Sequence, residues 1–470
     1  MASGQVTSER LVALYLARIA AFDEVGPRLN AVLAIGPDAV TDARALDEER
    51  ARQGVRGPLH GIPVLLKDNF ETKGLVTTGG SLALEGVVPA QDAFQVRKLR
   101  LAGAVILGKV NLHELALGLT TVSSLGGQTL NPYDLSRAPG GSSGGSGVAA
   151  AVCFAAFTMG TDTSGSIRIP SSHNAVVGLR PSAGLSSRSG IIPFGHTQDT
   201  GGPIARTVED VALALDATVG YDPDDLTTAA SAGRIPRSYA TALSRGALKR
   251  ARVGVLTEFF GASPEDETVA AVVHAAVREM AAAGATTVEV VVPNLSALVT
   301  ASNLLTQELR VYLGDYLANA GGPATSIEDM LRLGLHTPSL RGILEAALRT
   351  PPDYLTSDDY TTRLAARETL ASAVVDAMDA SRADALVYPT VRRIAPLVGG
   401  NQGGSNAALS ANSGLPAITV PAGVTADGFP VGVELLGRRF AEATLLGLAF
   451  DFEQSTRHRR PPSTTPAVPR

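Results

Sequence analysis

The chain has 470 residues, 45% of them hydrophobic and 18% charged, with a formal charge of −5. Such a composition fits a soluble globular protein with a large buried core and gives no electrostatic reason to expect nucleic acid or a membrane as partner. One cysteine, Cys153 in an apolar run, excludes an internal disulfide framework and suits a reducing, cytoplasmic compartment. The N-terminus has no basic stretch followed by an apolar one, so no signal peptide is expected.

Thr7 can cap a first helix whose apolar face is Leu11, Leu14, Tyr15, Ile19 and Phe22. Pro37 opens a second helix to about Arg52. Residues 61–66 form a buried strand ending at Lys67-Asp68-Asn69; a helix follows Asp92, and a strand over 104–107 ends at Gly108-Lys109. Strand, helix and strand in succession predict parallel pairing. Apolar residues 148–157 predict a buried helix running into a buried strand. Short apolar pieces at 175–179 and 190–193 precede Gln198-Asp199, and 208–219 is helical. Residues 221–250 are polar and turn-rich. Strands follow at 253–256 and 288–292, around a helix that starts at Ser263-Pro264-Glu265 and stops at Gly284. Residues 296–380 are helical in pattern and form a side region. Late strands at 385–388, 417–420 and 431–435 lead to a closing helix from about Ala441, with a mobile tail expected over 463–470. The alternation predicts one large α/β domain over 1–470, its core about 7–462.

The chemistry gathers between residues 140 and 168. Gly140-Gly141-Ser142-Ser143-Gly144-Gly145-Ser146-Gly147 and Gly160-Thr161-Asp162-Thr163-Ser164-Gly165-Ser166-Ile167-Arg168 are small-residue loops flanking the apolar stretch. Glycine lets backbone N–H groups converge on a ligand, and a serine among such donors is a candidate nucleophile with its oxyanion site already built. A flexible linker does not fit, because apolar runs abut both loops. A phosphate-cradling loop lacks the following Gly-Lys-Ser/Thr, although a nucleotide-binding protein stays as the rival from another class. Gly-x-Ser-x-Gly occurs twice, centred on Ser142 and Ser143, but Asn131–Pro139 is not the strand that a nucleophile elbow needs.

Only five of 40 basic residues are lysines: Lys67, Lys73, Lys98, Lys109 and Lys249. Arginine cannot act as a neutral base, whereas a buried lysine can. Lys67 and Lys109 both end apolar strands and both qualify. The seven histidines, His60, His113, His173, His196, His274, His336 and His458, show no metal-binding spacing and no setting that marks a base. No metal and no organic cofactor is expected.

The two serine loops, Gly61-Ile62-Pro63 with Lys67-Asp68 upstream, and Gly108-Lys109-x-Asn111 together resemble the amidase signature family. The resemblance runs from about residue 7 to Pro462, with Arg56–Pro63 and Thr197–Thr200 most similar to its bacterial peptide amidase branch. It implies a mixed central β-sheet covered by helices on both faces. It also implies a Ser-cisSer-Lys triad: Ser166 as nucleophile, Ser142 as the bridging serine in a cis peptide, Lys67 as base. Backbone N–H groups around Thr163, Ser164, Gly165 and Ser166 would hold the oxyanion. The implied reaction is hydrolysis of a carboxamide C–N bond through an acyl-serine, with ester cleavage as a side activity. A glutamine-amidohydrolysing subunit of a transamidation complex is the alternative within the family. Ser164 stands where the family often has glycine, and Arg168 is either an anion-binding group or part of a structural ion pair. Monomer and homodimer both stay open.

Overall fold

The computed structural model describes residues 1 and 3–468. Thirteen strands are present among them: β1 (Val32–Ile35), β2 (Pro63–Lys67), β3 (Val105–Val110), β4 (Val122–Ser123), β5 (Gly127–Gln128), β6 (Phe157–Thr161), β7 (Val177–Arg180), β8 (Gly201–Ala205), β9 (Arg252–Leu256), β10 (Thr286–Val290), β11 (Ala385–Pro389), β12 (Ala417–Val424) and β13 (Pro430–Leu436). β4 and β5 make a small hairpin; the other eleven form one sheet in the order β1-β3-β2-β6-β8-β7-β12-β13-β11-β9-β10. β2 runs parallel to β3 and β6, and β9 runs parallel to β10 and β11. The middle of the sheet is antiparallel throughout. The mixed sheet expected from the sequence is therefore present.

Local signals set several helix boundaries. Thr7 accepts a hydrogen bond from the Arg10 N–H and caps the helix Ser8–Phe22. Pro264 opens the helix Pro264–Ala282, and Gly284 follows its end. β1 and β8 are strands that the sequence reading did not assign. β8 is the glycine-rich Gly201–Ala205, which has almost no strand propensity of its own. Its backbone is recruited by β6 and β7 on either side.

One face of the sheet packs Val64, Leu66 and Ile106 against the helices Phe94–Leu101 and Val208–Thr218, and the same core continues to Pro264–Ala282 and Glu442–Thr456. The other face packs Leu65, Val105, Leu107 and Val110 against Val148–Val152 and the first two helices. Of the 296–380 side region, Leu309, Leu313 and Leu317 build a third core with Leu84, Leu115, Ile192 and Phe194. The long helix Asp358–Ser381 instead buries Leu370, Val374 and Met378 in the main core.

The tail expected to be mobile is docked over its described part. The Arg18 guanidinium donates to the carbonyls of Thr465 and Pro466, and the Thr464 hydroxyl donates to Pro132. Residues 469 and 470 lie outside the described residues. No helix among the described residues is long and apolar enough to cross a membrane.

Candidate active site

Three backbone segments converge at the C-terminal end of β2. The last residue of that strand is Lys67, fully buried, whose Nζ donates to Ser142 Oγ at 2.7 Å and to Thr161 Oγ1 at 2.7 Å. Asn69 Nδ2 also donates to Thr161 Oγ1, at 3.0 Å, and so fixes the hydroxyl between two nitrogens. No carboxylate touches the amine. Burial therefore outweighs the attraction of the more distant Asp162 and Asp199 and lowers the Lys67 pKa from 10.5 to about 7.

Ser142 follows a cis Gly141–Ser142 peptide bond. Its carbonyl accepts from the His113 N–H at 2.9 Å. Burial, reinforced by the Lys67 charge, pushes the His113 imidazole down to about 4, so it stays neutral beside the lysine. Ser143 plays a different part, since its hydroxyl donates to the Thr161 carbonyl at 3.1 Å and accepts from the Thr161 N–H at 3.3 Å. Its own N–H donates to the Ser166 carbonyl at 3.1 Å. Ser143 thus joins the two loops, with its hydroxyl committed to backbone.

The second loop is wound around Asp162. This carboxylate is fully buried and accepts from the N–H groups of Gly165 (2.6 Å) and Ile167 (3.1 Å), from Arg168 and from Arg180. The two guanidiniums hold its pKa well below the usual carboxylate range, against the opposing effect of burial. Arg168 is buried between Asp162 (3.0 Å) and Glu434 (2.6 Å), so of its two expected roles the structural ion pair is the one present.

This arrangement engages one of the N–H groups that the resemblance implies for an oxyanion. The Gly165 N–H, expected to face a substrate, is turned onto Asp162 instead. Among the described residues, the N–H groups of Thr163, Ser164 and Ser166 have no protein acceptor. Gly165 serves as the pivot, with φ of +97° and a backbone so close to Ala407 that a Cβ would lie 2.4 Å from the alanine methyl. Ser166 is 3% exposed, and its hydroxyl makes no hydrogen bond among the described residues. The link from Lys67 to Ser142 is made; the link from Ser142 to Ser166 is not. Catalytic hydrogen bonds are commonly long before substrate arrives.

Lys109 is equally buried, but its Nζ donates to the Phe70 carbonyl and Thr77 Oγ1 and lies 3.4 Å from Asp68 Oδ1. It reaches neither serine loop. Thr161, Asn69 and Asp162 were not singled out from the sequence, although Thr161 and Asp162 lie inside the quoted loop. Asp199 and Gln198 both hold Thr163: its hydroxyl donates to Asp199 Oδ1 at 2.5 Å, and Gln198 Nε2 donates to its carbonyl at 3.1 Å. A cavity of about 790 Å³, lined by Arg188, Tyr312 and Tyr316 among others, contains none of Lys67, Ser142 or Ser166. Hydrogen bonding, rather than cavity size, locates the chemistry. Among the described residues no cluster of histidine, cysteine or carboxylate side chains could hold a metal ion.

A large mixed sheet flanked by helices, carrying two glycine-serine loops around a buried lysine, matches the amidase signature fold. The family model described as Amidase matches residues 10–446, and the chain belongs to that family. The native peptide amidase of Stenotrophomonas maltophilia superimposes with a TM-score of 0.92 at 39% identity, over 98% of this chain and 96% of that one. A glutamyl-tRNA(Gln) amidotransferase subunit of Moorella thermoacetica is 38% identical over 97% of this chain and 95% of its own length. A "probable amidase" of Arabidopsis thaliana is 35% identical, covering 97% and 88%. The protein is a hydrolase of amide C–N bonds.

Proposed function

We propose that the chain hydrolyses carboxamides through an acyl-Ser166 intermediate, with neutral Lys67 as base acting through Ser142. The observation that carries this reading is the fully buried Lys67 amine, 2.7 Å from the Ser142 hydroxyl and without a contacting carboxylate. Ser142 passes its proton to Lys67 and takes one from Ser166, whose oxygen attacks the amide carbonyl. The carbonyl oxygen becomes anionic and is received by free N–H groups of Thr163, Ser164 and Ser166; losing one such donor costs about 3–4 kcal/mol of barrier. The proton on Lys67 returns through Ser142 to the leaving nitrogen, and water then releases the acid. Apart from the substrate and water, every group invoked belongs to the chain itself.

The likeness to the solved peptide amidase favours a peptide amide or similar linear carboxamide as substrate, and the single cysteine favours a cytoplasmic enzyme. The second reading, a glutamine-hydrolysing subunit, is favoured by the relatives named as subunits of glutamyl-tRNA(Gln) amidotransferases. The purified chain should turn over simple amides and amidated peptides unaided, and a sulfonyl fluoride should label Ser166 by mass spectrometry. Activity confined to glutamine and dependent on added partner chains supports the second reading instead. Labelling at Ser143 overturns the nucleophile assignment.

A further inference from the structure

Behind the loop 194–199 lies a second cleft, of about 440 Å³, lined among others by Arg188, His196, Asp199, Tyr312, Arg367 and Arg439. Arg367 comes from the helix Asp358–Ser381 and is only 8% exposed. Its Nη2 donates to the carbonyls of Thr197 (2.9 Å) and Ala411 (3.1 Å), while its Nη1 is buried with no acceptor. Buried charges are ordinarily paired. Here the nearby carboxylates are engaged elsewhere. Glu308 accepts from the Thr197 N–H and the Tyr360 hydroxyl, and Glu368 accepts from Arg439 at 3.3 Å. Asp199 is occupied by Thr163 and by the N–H groups of Phe194 and Gly195. Arg188 is held by Asp225.

We propose that this cleft binds a small oxyanion, a carboxylate or a phosphate, with the Arg367 guanidinium as its principal donor and Arg439 at its rim. A guanidinium offers paired N–H groups that match such an anion, and the ligand adds a contacting charge to the more distant Glu308 and Glu368. Burial lowers the Arg367 pKa to about 10, which still leaves the group charged at neutral pH. The cleft is apart from the triad but adjoins it through one loop. Thr197, held by Arg367, precedes Gln198 and Asp199, and both of these hold Thr163 in the oxyanion turn.

Isothermal titration of the intact protein with sodium phosphate and, separately, sodium acetate, each against matched sodium chloride, tests the site. One of the two anions should bind with a Kd of about 1 mM or tighter. Which one binds identifies the source of the oxyanion. Arg367→Met should weaken that binding by about tenfold or more, as expected for losing a charge-assisted hydrogen bond. Arg439→Gln, at a partly exposed position, should weaken it by a smaller factor and decides the matter if Arg367→Met does not fold. Binding of neither anion, or binding unchanged in the folded variants, overturns the proposal. Because the readout is binding, it stands or falls separately from the catalytic reading.

Discussion

Lowering the pH through neutrality should switch off the base while the fold persists. Burial brings Lys67 down to about 7 against the pull of Asp162 and Asp199, so the neutral amine predominates only above that value. About one pH unit below it, roughly one molecule in eleven retains the neutral base, and kcat/KM should fall about tenfold per further unit. Initial rates of amide turnover from about pH 5.5 to about pH 9 measure this limb directly. Asp199→Asn removes one of the two carboxylates that favour the charged amine, so its limb should move to lower pH. The same burial affects stability with a definite sign. The folded value is about 7 against 10.5 for a free lysine, so between the two the unfolded chain binds the extra proton. Stability therefore rises with pH across that window. The cost of a buried ammonium, about 5 kcal/mol, is fully present below about pH 7 and gone above about pH 10.5. Lys67→Met should remove a slope of about 1.4 kcal/mol per pH unit from urea titrations compared pairwise with the unmodified protein. A flat rate profile, or wild-type turnover in Lys67→Met, would refute the reasoning.

Four further variants test the contacts. Ser166→Ala should abolish turnover and sulfonyl fluoride labelling, whereas Ser142→Ala should cut kcat severely and leave circular dichroism unchanged. Gly165→Ala forces a side chain onto Ala407 at a positive φ; strain of about 1–3 kcal/mol should appear as a lower urea midpoint, with loss of activity as the oxyanion turn shifts. Lys109→Met strands the buried Asp68 carboxylate and should cost about 3–5 kcal/mol of stability, while enzyme that stays folded keeps its acid limb near pH 7.

Much of the fold was legible because short-range signals decide it. Helix ends carried their own caps at Thr7, Pro264 and Gly284, and the long apolar runs became the central strands. The site was legible as two loops and two lysines because small residues and hydroxyls at fixed spacing have few other uses. The Gly165 N–H was assigned outward because a linear pattern cannot register that Asp162, three residues earlier, folds back to accept it. β8 escaped notice for a similar reason: its pairing is dictated by the edges of β6 and β7, not by its own side chains.

The sequence by itself determined the two serine loops, the alternation of helix and strand, and the pair of buried lysines at neighbouring strand ends. The resemblance favoured Lys67, but strand alternation alone could not separate the two, since along β3 it puts Val105, Leu107 and Lys109 on one face, the face that packs against the serine-loop helix. The tertiary structure sets the two lysines on opposite faces. Val64 pairs with Ile106 but Leu65 pairs with Gly108, so β3 bulges by one residue and every later side chain changes face. Gly108 permits this close approach, since a Cβ there would sit 2.1 Å from the Ala34 carbonyl oxygen. Val110 then stands opposite Lys67, and Lys109 stands opposite Leu66 on the other face, beside Asp68. A parity set by one inserted residue belongs to strand pairing, and no reading of a single strand contains it.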